Sequence, residues 1–198
     1  MGKTYPSIDA PIRAWIGRQK VFFVATAPLG RDGMVNCSPK GLDTLRIVDD
    51  RTLAYLDFGG SGVETIAHLK ENGRIVVMMC AFDGPPKIFR FHGRGEVVAA
   101  NHDDFGGLYD LFEKTALVPR AIIRIHVERI SDSCGFGVPL YDFVADRDAS
   151  YKYLDGVSQE DVTEYLLQNN QASLDGLAGL TPEEIKARPP RPTAKAAG

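Results

Sequence analysis

Two glycines, a serine and a third glycine at Gly59-Gly60-Ser61-Gly62 run directly into Val63-Glu64-Thr65 and an apolar periodic stretch. Hydroxyls and free backbone N–H groups at the start of a helix suit a phosphate, because the helix N-terminus carries partial positive charge. The same residues also fit a plain capping box, with Ser61 and Glu64 each closing a free N–H. Both readings stay open from the residues alone. The turn is not a Walker loop, since no Lys follows Gly62. Nor is it the dinucleotide fingerprint, since the third glycine is replaced by Thr65.

Other residue types that carry chemistry are scattered. His92 and His126 stand in alternating stretches beside Arg90 and Arg124, and read as histidines satisfied inside a barrel. His102, Asp103 and Asp104 read as the acidic first turn of a helix capped by Asn101, not as a metal cluster. There is no HExxH and no paired Cys-His set, so no metal site is expected. Cys37 reads as a small strand filler. Three cysteines with no CxxC imply reduced thiols.

The elements that must position these groups are mostly strands. KVFFVATA (20–27) and MVNCSP (34–39) form a hairpin about the turn PLGRDG. LRIV, TLAYLDF, IVVMMCAF (75–82), KIFRFHGRGEVV (87–98) and AIIRIHVERI (121–130) follow. In 87–98, Phe89 and Phe91 point one way and Arg90 and His92 the other. Gly93 and Gly95 mark a bulge or a close backbone approach. Helices are expected over 8–19, capped by Asp9 with Pro11 in the first turn, and over 62–72, ended by Asn72-Gly73. Further helices are expected over 101–114, over 161–170, and after Thr181-Pro182 with Glu184 at the third position. The pattern predicts a mainly β (α+β) chain, an antiparallel split β-barrel of Greek-key type with a few peripheral helices. Residues 1–145 form the barrel domain. Residues 146–198 form a helical extension whose last ten residues, PPRPTAKAAG, have nothing to bury and are expected to be disordered.

The 198 residues carry a net charge of −3, with 25% charged and 44% hydrophobic residues. That composition is ordinary for a soluble domain and offers no basic stripe for nucleic acid. No apolar run approaches the ~20 residues of a membrane span, and MGKTYPSIDAP lacks an apolar secretion core, so a cytoplasmic location is expected.

The ordered set VFFVATAPLGRDGMVNCSPKG, TLAYLDFGGSGVETIAHL, ENGRIVVMM and FRFHGRGEVV resembles the pyridoxamine 5′-phosphate oxidase-like family of FMN-binding split barrels, over roughly residues 15 to 145. NNQASLDGLAGL (169–180) also looks like a tail found in that family. The resemblance implies a homodimer with FMN between subunits. It lays Ser38, Pro39 and Lys40 along the flavin and lines the groove with Asp57, Phe58 and Gly59. It puts Ser61, Gly62 and Thr65 on the phosphate, and brings Phe136 of CGFGVP across the dimer to the ring. Many members carry Arg or Lys at the phosphate helix; here the phosphate must rely on backbone N–H groups, Ser61, Thr65, and Lys40 or Arg90. GFGVPLYDF lacks the Arg and His with which true pyridoxamine phosphate oxidases grip substrate. The expectation is therefore an FMN-dependent oxidoreductase acting on another small molecule, with no catalytic side chain assigned. The alternatives are a deazaflavin- or haem-binding barrel, or a non-catalytic flavin-binding or redox-sensing module.

Overall fold

Alternating apolar residues in 88–99 and 121–133 build the longest hairpin of the protein, and the rest of the sheet grows from it. In the computed structural model, residues 2–112 and 117–190 are described, with the backbone alone at 154 and 155. The strands are β1 (Thr4–Tyr5), β2 (Phe22–Thr26), β3 (Asn36–Lys40), β4 (Leu45–Ile47), β5 (Thr52–Asp57), β6 (Arg74–Cys80), β7 (Ile88–Ala99) and β8 (Ala121–Ser133). They hydrogen-bond in the order β3-β2-β6-β7-β8-β5-β4, with β1 added to β8, and every pairing is antiparallel. The result is a mixed α+β fold, a curled antiparallel sheet of the split-barrel kind with peripheral helices. β1 and β4 are short strands beyond the main apolar runs.

Register decides what the sheet buries. Leu53 and Tyr55 lie opposite Ile125 and Ile123, so their side chains share the inner face with Val24, Val77, Met79, Phe89 and Phe91. Leu56 and Ile122, paired on the opposite face, make a second cluster with Val98, Phe105 and Leu108. Gly93 sits at the register shift of the long hairpin, where an added Cβ would fall 2.0 Å from the carbonyl oxygen of His126. The close approach expected there is present, and only a glycine permits it.

Among the described residues, six helices surround the sheet: α1 (Ala10–Ile16), α2 (Glu64–Asn72), α3 (Phe105–Tyr109), α4 (Ala149–Asp155), α5 (Gln159–Asn169) and α6 (Pro182–Lys186). α1 begins as expected, Asp9 accepting from the Ile12 N–H at 2.9 Å. α6 forms the expected Thr181–Glu184 capping box, and α2 ends on left-handed Gly73. The capping box at Ser61 does not form. Val63 is the N-cap of α2 without a side-chain bond, and the Glu64 carboxylate instead accepts from the Leu174 N–H at 3.1 and 3.2 Å. The helix expected over 101–114 shrinks to 105–109; Asp104 and not Asn101 stands at its N-cap position, without a side-chain cap bond, and accepts instead from Arg124 at 2.7 Å. Residues 113 and 114 of that stretch lie outside the described residues, as do 191–198 of the expected disordered end.

The extension packs onto the barrel. Leu166, Leu180 and Ile185 are buried in the same cluster as the sheet's inner face and the α2 side chains Ile66 and Leu69. Each such burial stabilises by about 1.5–3 kcal/mol, so these contacts are not incidental. No helix among the described residues is long and apolar enough to cross a membrane.

Candidate functional site

β3 alternates in burial: Asn36, Ser38 and Lys40 are half-buried, while Cys37 and Pro39 are exposed. Cys37 is thus not the strand filler expected. Pro39 breaks no ladder, since β3 is the sheet's edge. Between β3, the loop 41–44 and the turn Phe58–Gly62 entering α2 lies a groove of about 460 Å³, within the usual range for small-molecule sites. Its rim includes Leu42, whose φ of 60° is left-handed, as is the 53° of Asp43. Such strain in non-glycine residues clusters at ligand sites.

An ion cluster underlies the groove. Asp57, the last residue of β5, has no accessible surface. Lys40 Nζ meets its Oδ1 at 2.8 Å, and Arg120 Nε meets its Oδ2 at 2.8 Å. Burial alone pushes the Asp57 carboxyl up, but attraction to Arg120 and Lys40, with their hydrogen bonds, outweighs it and holds the group below the usual carboxylate value. Lys40 and Arg120 share the Asp57 charge, and the Glu64 carboxylate also lines the groove. Arg120 comes from the segment leading into β8. Its backbone N–H donates to the Asp57 carbonyl at 2.9 Å, extending the β5–β8 ladder that seats it. Its Nη1 donates to the Gly62 carbonyl and to Asn170 Oδ1, both at 2.7 Å.

A second network runs behind the hydroxyls. Ser38 Oγ donates to Asn36 Oδ1 at 2.9 Å. Asn36 Nδ2 donates to Thr65 Oγ1 at 2.9 Å and Thr26 Oγ1 at 3.1 Å. Thr26 Oγ1 lies 2.9 Å from Nδ1 of His68, which is fully buried. The Thr26 hydroxyl thus joins the Asn36 amide to the His68 ring, the direction of its bond to Nδ1 following the ring tautomer. Ser38 therefore shows lone pairs to the groove, and Thr65 keeps a proton to donate. Tyr55, under Lys40, is buried, and burial followed by the Asp57 charge pushes its phenol well above its ordinary range.

Of the residues expected from sequence, Ser38, Pro39, Lys40, Phe58, Gly59, Ser61, Gly62 and Thr65 line this one groove, with Asp57 beneath it. Arg90 does not line it; it lies on β7 and donates to Ser133 Oγ at 3.0 Å. Phe136 follows β8 with 81% of its surface exposed. His92 and His126 stand exposed on the outward side of their strands, because Phe89, Phe91, Ile125 and Val127 take the interior. Among the described residues, no His, Cys, Asp and Glu cluster is grouped to hold a metal ion. Sequence reasoning missed Arg120, Asn36, His68 and Asn170. Beyond Phe58 and Gly59, a second cavity of about 450 Å³ is lined by Val118, Val162, Tyr165 and Leu166.

A curled antiparallel sheet whose edge strand, turn and helix start enclose a cation-bearing groove defines a split barrel. The chain belongs to the pyridoxamine 5′-phosphate oxidase family, whose model matches residues 8–134. It is 38% identical over 192 residues to the pyridoxamine 5′-phosphate oxidase family protein ustO of Aspergillus flavus, covering 89% of this chain and 77% of that protein. Among solved structures it is similar to HupZ of Group A Streptococcus. A histidine-to-alanine variant of HupZ superposes with a TM-score of 0.54 at 25% identity, covering 64% of this chain and 99% of that one. A second HupZ structure gives 0.52 at 26%, covering 62% and 91%.

Proposed function

We propose that the groove binds flavin mononucleotide and that the chain is a flavin-binding redox protein of its family. The observation that carries this reading is the buried cation Arg120, set with Lys40 beside the N-terminus of α2. Together they supply the charge that the sequence withholds from the helix itself. Glu64 lines the same groove, and its carboxylate is engaged by the Leu174 N–H. Ser61 and Thr65 offer hydroxyls, and Ser38 offers an acceptor to a polar edge of the ligand. Phe58 and Pro39 supply apolar wall. Bound there, the flavin would accept hydride at its N5 and pass electrons onward, chemistry that belongs to the cofactor. The chain's part is to bind, to orient and to neutralise the phosphate.

We also propose that the working unit is a homodimer. Phe136, Leu140, Tyr141, Phe143 and Val144 form an exposed apolar run just after β8, the kind of patch that marks an interface. In that unit Phe136, and Arg90 on the outer sheet face, would reach a neighbour's groove.

A second reading, flavin binding without turnover, is favoured by the commitments of the ionisable side chains at the groove. Lys40 and Arg120 hold Asp57, and Glu64 holds a tail N–H, so these are holding groups and not proton carriers. The purified protein decides between these readings. A flavin absorption spectrum, with FMN identified by mass after heat release, supports the binding proposal. Turnover with reduced nicotinamides and an acceptor panel then separates enzyme from module. A Soret band in place of the flavin spectrum would assign the site to haem. A deazaflavin identified by mass would likewise replace FMN.

A further inference from the structure

Among the contacts between the tail and the groove is one fully buried side chain. Asn170, the C-cap of α5, is fully buried, and both ends of its amide are bonded. Its Oδ1 accepts from Arg120 Nη1 at 2.7 Å and its Nδ2 donates to the Gly60 carbonyl at 2.9 Å. A guanidinium only donates and a carbonyl only accepts, so these partners fix which way the amide faces. The main chain of Asn170 is tied as well, its N–H to Leu166 O at 2.8 Å and its carbonyl to the Leu180 N–H at 2.9 Å.

Arg120 Nη1 also holds the Gly62 carbonyl, so both carbonyls flanking Ser61 are engaged from the same side. In a trans peptide the next N–H points opposite to the carbonyl. The N–H groups of Ser61 and Val63 are thereby turned away from Asn170 and Arg120. Packing fixes the same turn. A Cβ at Gly59 would fall 2.7 Å from Leu166 Cδ2, and one at Gly179 would fall 2.5 Å from the Asn170 carbonyl. Lys70 of α2 adds a clasp, its Nζ 2.8 Å from Gly179 O and 2.7 Å from Glu184 Oε2.

We propose that Asn170 is a positioning residue for phosphate recognition. It holds the carbonyls of the Gly60–Val63 turn, through its own amide and through Arg120, so that the opposed N–H groups face the phosphate, which makes residues 158–188 a working part of the cradle. The tail then sets the preference for phosphorylated flavin over riboflavin. The inference rests on the flavin reading of the groove.

The test measures dissociation constants of FMN and riboflavin for the full chain, wild type against Asn170→Asp and Asn170→Ser. The aspartate keeps an acceptor for Arg120, loses the donor to Gly60 and sets a negative charge against the guanidinium. The serine breaks the span without adding charge. For both variants FMN affinity should fall about tenfold or more while riboflavin affinity holds, since only charge-assisted bonds to the phosphate are lost. An equal fall for both flavins, or no fall, overturns the inference, because a merely structural role does not sort ligands by phosphate. A wild type that binds neither flavin sinks the flavin reading instead. Inorganic phosphate then serves as the probe, read by the amide NMR signals of Gly60 to Val63. Shifts in wild type that vanish in Asn170→Asp sustain the role of Asn170. Equal shifts in both, or none in either, end it.

Discussion

Arg120 and Asp57 meet side chain to side chain at 2.8 Å across 63 residues of sequence, both out of water. Further partners support the pair: Lys40 on the second carboxylate oxygen, and Gly62 and Asn170 on the guanidinium Nη1. Breaking such a pair from one side leaves an uncompensated buried charge, which costs about 3–5 kcal/mol. Asp57→Asn should lose stability on that scale in urea denaturation. A loss below about 1 kcal/mol would show that water already reaches the cluster.

Acid should act through the same carboxylate. The folded-state value of Asp57 is depressed, so its contribution is fully present above the unfolded value of about 3.9 and is lost as pH falls through the folded one. Asp132 is lowered too: burial pushes it up, but bonds from Tyr5, Lys3 and Lys87 prevail. Thermal midpoints should hold from neutral pH to about 4 and fall below that. Asp57→Asn should flatten the acid limb, and an unchanged slope would remove Asp57 from it.

Alongside the buried Tyr55, Tyr5 contributes to the alkaline limb. Its hydroxyl donates to Asp132 at 2.6 Å, and this bond, then burial and the charges of Asp132 and Asp9, push its ionisation up to about 12. Between the ordinary phenol value and that point the unfolded chain gives up a proton that the folded chain keeps. Stability is therefore complete below about pH 10 and declines above it. Tyr5→Phe should reduce that decline in midpoints taken above about pH 9, leaving the share of Tyr55; a decline of unchanged size removes Tyr5 from it.

Backbone crowding gives a graded pair of substitutions. Gly93→Ala drives a Cβ into the His126 carbonyl, which the paired strands cannot move aside, and should cost several kcal/mol or prevent folding. Gly59→Ala meets only the end of Leu166, so it should cost about 1–3 kcal/mol. In a Leu166→Ala background that cost should largely disappear, and the double-mutant cycle reads the coupling directly. Additive losses would mean that the two residues do not touch in solution.

The parts of this molecule that local chemistry determines can be read in the sequence. Alternation marks the long strands and the Gly93 approach, Asp9 and Thr181 mark helix starts, and Gly73 a helix end. The ordered hairpins resemble the family that the comparisons then show. What escapes reading is set by distant partners. Ser61-x-x-Glu64 has the form of a capping box, yet a tail N–H at Leu174 takes the glutamate. Arg120 is a lone arginine in a VPRA segment, and nothing local tells that strand register will carry it to Asp57. Thr65 and His68 are a polar pair one helical turn apart on the buried side of α2. That spacing is a usable signal for the Asn36 network, because a buried polar pair must find partners. His92 and His126 face outward because bulkier phenylalanines and branched residues on the same strands claim the interior.

The cradle draws on chain positions near 38, 60, 120 and 170, which sets an order on its birth. As the chain is synthesised from its N-terminus, β3 and the glycine turn exist long before Arg120, and Arg120 exists before Asn170. A nascent barrel complete through β8 would present hydroxyls, Lys40 and Arg120 but no spanning amide. On the proposed flavin reading, cofactor capture is therefore a late event, a seal on a finished fold and not a template for it, and a ribosome stalled before α5 would hold a barrel whose glycine turn lacks its clasp.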